Sequence, residues 1–131
     1  MRAKWLAVAG ATLSLGTGVA AADTMHPTLA ARLAGMGEHG IVNFHSNATA
    51  GSLCWTFDLH TKGVTAASIR DAHGMVLVHL GKAYREKACA RVVKTALQRI
   101  ETKPTAYWVW VDTKGHPGEL RGKLFAGMAH M

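Results

Sequence analysis

Cys54 and Cys89 are the only cysteines in the 131-residue chain, and their chemistry is the easiest to name. In an oxidising compartment two thiols form one bridge. It would close a loop of about 36 residues, and the entropy removed from the unfolded chain is worth on the order of 4 kcal/mol. Eight histidines are present, at His26, His39, His45, His60, His73, His79, His116 and His130. Imidazole suits both copper and zinc. Their spacing gives no HxH, no helical H-x-x-x-H and no Cys/His cluster, so the prediction is scattered surface histidines and no metal site. Met25-His26 and Met128-Ala129-His130-Met131 could offer soft sulfur to copper(I), but they read as chance methionines near the chain ends. The eight acidic residues are spread singly. No nucleophile elbow, glycine-rich phosphate loop or paired carboxylate accompanies them. The reading is therefore a non-enzyme with no catalytic residue and no cofactor.

Charge and composition limit the partners. Fifteen basic residues against eight acidic ones give a formal charge of +7. The dense basic stretch is Lys82, Arg85, Lys87, Arg91, Lys94, Arg99 and Lys103, which reads as a solvated helix face. A strip binding phosphate or lipopolysaccharide is the alternative. No nucleic-acid motif is present. With 49% hydrophobic and 18% charged residues, the chain is one globular domain and not a disordered, collagen-like or coiled-coil segment.

The beginning of the chain reads as an export leader. Arg2 and Lys4 precede an apolar stretch from Trp5 to Ala20, and Ala20-Ala21-Ala22 supplies small residues for cleavage. Residues 1–22 are thus assigned as a signal peptide, with no membrane span after cleavage and a periplasmic or secreted location. The exported chain keeps 13 basic and 8 acidic residues, a formal charge of +5.

Periodicity then places the elements. Residues 23–38, with Leu29, Ala30 and Leu33 among Pro27, Gly35 and Gly37, suggest an N-terminal segment of a helical turn or two. Alternation predicts strands at Ile41–His45, Leu53–Leu59, Val64–Arg70 and Met75–Leu80, in β-meander order. Helical spacing of Val92, Val93, Ala96, Leu97 and Ile100 predicts a helix over 83–101, and Pro104 ends it. Thr105–Thr113 and the segment around Leu120–Leu124 complete the strands, leaving 127–131 as a frayed tail. The fold class is mostly β, with one helix inserted before the penultimate strand.

The runs CWTFDL, GVTAASIRDAHG and KPTAYWVWVDTKGHPGELRGKL resemble the CHRD family, first described in chordins and common in exported bacterial proteins. The specific parts are Pro104, Tyr107 and Trp108, then Pro117-Gly118, then Leu120-Arg121-Gly122-x-Leu124. The resemblance covers about 40–125, and the CHRD-like domain is placed at 39–126. It implies an immunoglobulin-like β-sandwich or barrel of antiparallel strands, and Cys54 and Cys89 match bacterial members.

Three histidines usual in the family are replaced here by Ser68, Arg70 and Asp112. A metal role does not carry over. An Arg70–Asp112 ion pair, hydrogen-bonded to Ser68, is expected in the vacated space. Trp108 and Trp110 share one face of their strand, so that face is either covered or an aromatic ligand surface. The candidate interaction site is therefore Ser68, Arg70, Asp112, Trp108 and Trp110. The function expected is a non-enzymatic binding module for an unknown protein or envelope ligand. The alternative is a periplasmic copper- or zinc-handling or redox protein.

Overall fold

A computed structural model describes residues 27–130. The leader assigned to 1–22 and the Met25-His26 pair lie outside the described residues. The strands are β1 (Thr28–Gly35), β2 (Glu38–Asn47), β3 (Ser52–His60), β4 (Val64–Asp71), β5 (Val76–His79), β6 (Lys87–Arg91), β7 (Tyr107–Thr113) and β8 (His116–Ala126). One helix, α1 (Lys94–Thr102), precedes a 3-10 turn at Pro104–Ala106 and the penultimate strand. All strands pair antiparallel in one curled sheet, in the order β5-β4-β7-β8-β1-β2-β3-β6. No helix among the described residues is long and apolar enough to cross a membrane.

The core follows from the alternation. Leu33, Phe44, Leu53, Phe57, Ile69, Val109, Leu120 and Leu124 point inward and are essentially inaccessible to solvent. Ala96, Leu97 and Ile100 of α1 join the same cluster. That helix has no side-chain N-cap and no acidic residue in its first turn. Packing holds it, together with a Ser46 hydroxyl on β2 that donates to the Glu101 carboxylate.

Four expectations are corrected. The meander fails because β4 pairs with β7 and not β3. The free edges of β3 and β4 are instead joined through residues 76–91. Leu80 N and Tyr84 N donate to Ala67 O and Thr65 O on β4, and Phe57 N on β3 donates to Glu86 O. Trp55 Nε1 also donates to Arg85 O at 3.0 Å.

Residues 28–35 form a strand between β8 and β2, not a helical turn. Leu29, Ala31 and Leu33 of β1 face the main core, and on its other face Ala30 packs in a second cluster with Ile41 and Ala129 while Arg32 and Ala34 are exposed. Residues 127–129 are not frayed, since Asn43 on β2 exchanges two hydrogen bonds with the Ala129 backbone, at 2.7 and 3.0 Å. The helix begins at Lys94 and not at 83, because Lys87, Cys89 and Arg91 alternate outward against the partly buried Ala88 and Ala90 in β6. The basic residues from Lys82 to Lys103 are thus divided among a loop, an edge strand and a helix, and form no single helix face.

Candidate functional site

On β7, Tyr107, Val109, Val111 and Thr113 are buried, which turns Trp108, Trp110 and Asp112 to the outer face, each half-buried. The register sets Ser68, Trp110 and Arg121 in one row across β4, β7 and β8. Arg70, Trp108 and Lys123 form the next row. The guanidinium carbons of Arg121 and Arg70 lie 3.8 Å and 4.3 Å from the Trp110 ring centroid. They reach it from the strands on either side of β7. Lys123 Nζ lies 5.4 Å from the Trp108 ring, and the Arg32 guanidinium carbon on β1 is 5.6 Å from the Phe125 ring. Each such contact is worth about 0.5–1 kcal/mol where solvent reaches it.

The structure brings together Ser68, Arg70, Trp108 and Trp110 of the expected site, but Asp112 has another partner. Arg70 donates from Nε to Ser68 Oγ at 3.0 Å and from Nη1 to Gly74 O at 3.2 Å, covering a serine that is 4% exposed. Asp112 Oδ1 accepts from Gly118 N at 2.6 Å. The expected Arg70–Asp112 ion pair is therefore absent: the carboxylate caps the β7–β8 hairpin, while the guanidinium lies on an indole. Among the described residues, His60–Asp58 at 3.8 Å is the one contact between a basic and an acidic side chain within ion-pair range. Arg70, Arg121, Lys123 and Arg32 thus have no carboxylate partner among the described residues.

Gly118 is confined by this arrangement. Its φ is +67°, and a Cβ there would fall 2.9 Å from Trp110 Cε3 and 3.0 Å from Arg121 Nε. Arg121 Nε in turn donates to Gly118 O at 3.1 Å. Arg121 and Lys123 were missed as site residues, although their alternation with Leu120, Gly122 and Leu124 placed them on one outer face.

Two clefts open beside Arg121. One, of about 260 Å³, is lined by Asp71, Ala72, Trp108, Trp110 and Arg121. The other, of about 490 Å³, lies between the β1–β2 turn at Met36 and the β7–β8 turn at Gly115-His116. Asp71 Oδ1 accepts from His73 N at 2.8 Å and Met75 N at 3.0 Å. The Met75 amide, and with it the His73 amide and charge, holds the Asp71 carboxyl below the usual aspartate range.

Elsewhere, Cys54 and Cys89 form a disulfide between directly opposed residues of β3 and β6. The β2–β3 register stacks His39 on His60 with ring centroids 4.7 Å apart, a pairing that sequence spacing does not reveal. Among the described residues no three His, Cys, Asp or Glu side chains are grouped to hold a metal ion. A third cleft, beside Asp58, Thr61, Tyr84 and Glu86, has Tyr84 at its wall. Burial raises the Tyr84 phenol above its ordinary pKa, and the Glu86 and Asp58 charges add to this. No family model, curated protein or solved structure matches the chain.

Proposed function

We propose that this protein is an exported, non-enzymatic binding module of the CHRD type that takes an anionic ligand on the outer face of β4, β7 and β8. One observation carries the proposal: two guanidiniums lie on Trp110 with no carboxylate of the described residues within ion-pair range. Ring contacts and backbone carbonyls orient Arg70 and Arg121 without neutralising them, which leaves charge available to a ligand. The oxidised Cys54–Cys89 pair supports export, and the curled antiparallel sheet supports the barrel form of the immunoglobulin-like fold that the family resemblance implies.

The test is calorimetric titration of the exported chain with dextran sulfate and with uncharged dextran. Dextran sulfate binds, and its affinity falls with salt because exposed charges are screened over about 10 Å at 0.1 M ionic strength. Replacing Arg70 and Arg121 together by Gln weakens binding at least about tenfold. Equal binding of uncharged dextran, or an unchanged affinity in the double variant, overturns the proposal.

A further inference from the structure

The smaller cleft beside Arg121 contains more than positive charge. Trp108 forms an apolar wall, and among the described residues its cation contact is with Lys123 at 5.4 Å, whereas Trp110 lies against two closer guanidiniums. Trp110 therefore supports the arginines, and Trp108 is the ring surface left to a ligand. Asp71 adds a carboxylate to the same cleft. Both of its backbone hydrogen bonds fall on Oδ1, which leaves Oδ2 without a hydrogen-bond donor among the described residues.

We infer that this cleft binds a uronic-acid unit of an acidic polysaccharide: its ring lies on Trp108, a hydroxyl donates to Asp71 Oδ2, and its carboxylate meets Arg121. The inference rests on the anionic-ligand reading above and names the ligand class. Three properties favour a sugar acid. A phosphate chain has no hydroxyl to donate to Asp71. A sugar acid supplies donor, acceptor and apolar ring face together. The cleft, at about 260 Å³, is also below the roughly 300–1,000 Å³ of clefts for drug-sized ligands. One sugar unit suits that space. Arg121 lines the larger cleft as well, so a polymer can continue from one cleft into the other past the β7–β8 turn.

The experiment titrates the exported chain with oligogalacturonate, with its methyl ester, and with inorganic polyphosphate of matched charge. Tryptophan fluorescence and calorimetry are the readouts. Oligogalacturonate binds and perturbs the fluorescence. The uncharged ester and the Trp108→Ala variant each weaken binding about tenfold or more. Asp71→Asn, at a surface position that reports even if the tryptophan variant misfolds, weakens oligogalacturonate but not polyphosphate. If polyphosphate binds at least as tightly and Asp71→Asn leaves oligogalacturonate unaffected, the sugar-acid inference fails and the anionic reading stands. If the ester binds as well as the acid, or no polyanion binds, both fail.

Discussion

Arg121 stacks on Trp110 with its guanidinium carbon 3.8 Å from the ring centroid, and a second guanidinium, from Arg70, lies 4.3 Å from the same centroid. One indole thus holds two cations from the two strands that flank it. The bond from Arg121 Nε to Gly118 O fixes the first, and the bonds of Arg70 to Ser68 and Gly74 fix the second. Neither arginine needs Asp112 for its orientation.

A double-mutant cycle on Arg70→Ala and Asp112→Ala is therefore additive within about 0.5 kcal/mol. Asp112→Ala alone destabilises by about 1–3 kcal/mol, because it removes a charge-assisted bond to the Gly118 amide. Chemical denaturation of the four proteins measures this. A coupling energy well above 1 kcal/mol would restore the Arg70–Asp112 ion pair that the family resemblance suggested.

Gly122→Ala destabilises by about 1–3 kcal/mol or more through overpacking. A Cβ at Gly122 would lie 2.0 Å from Arg32 O, a backbone atom of β1 that cannot swing aside. Thermal melting checks it, and an unchanged melting temperature would show that β1 and β8 are not so close.

Much of this fold was legible, and the failures have local causes. Alternating strands are readable when one face is polar, as in Leu53–Leu59 with Thr56 and Asp58 on the outer side; Tyr107–Val111, apolar on both faces, was readable from its aromatic and β-branched residues. The strand β1 was not readable because Leu29, Ala30 and Ala31 are buried in succession, Ala30 under Ala129, and the alternation that remains, Ala31 and Leu33 inward against Arg32 and Ala34 outward, is too short to set the period. The strand β6 was hidden because Ala88 and Ala90 signal burial weakly and the helical spacing begins at Val92. The candidate site was legible on β4 and β7, where a resemblance pointed to it. Arg121, Lys123 and Asp71 reach it only through register and a turn, which local pattern does not encode.

Stability against acid depends on Asp71. The Met75 amide holds the folded Asp71 carboxyl below the ordinary aspartate value. Its contribution is therefore present above that value and is lost as pH falls through the lower folded pKa. Asp71→Asn keeps an oxygen acceptor for His73 N and Met75 N but cannot titrate. Between pH 5 and pH 2 its melting temperature falls less than that of the parent, and parallel curves would remove Asp71 as a source of acid sensitivity.

Truncation after Gly127 removes the Ala129 backbone that exchanges hydrogen bonds with Asn43, and uncovers Ala30. Two part-buried bonds at about 0.5–1.5 kcal/mol each predict a loss of about 1–3 kcal/mol. A true frayed end would cost nothing measurable in denaturant unfolding.

The disulfide has its clearest effect at one edge of the sheet. The strand β6 is five residues long, terminates the strand order and pairs only with β3, and its exposed Cys89 faces Cys54 directly. A bridge there limits the unfolded chain and also holds an edge strand that buries little besides Ala88 and Ala90. Replacing both cysteines by Ser lowers the unfolding free energy by about 2–4 kcal/mol. Part of that loss is local, because weakly packed edge segments open below the global free energy. Amide exchange over Lys87–Arg91 should therefore accelerate beyond the change in β1 and β8, which are central in the sheet. Equal acceleration in all strands would mean that the bridge acts only on the unfolded chain, and no acceleration in β6 would mean that its pairing with β3 does not depend on the bridge.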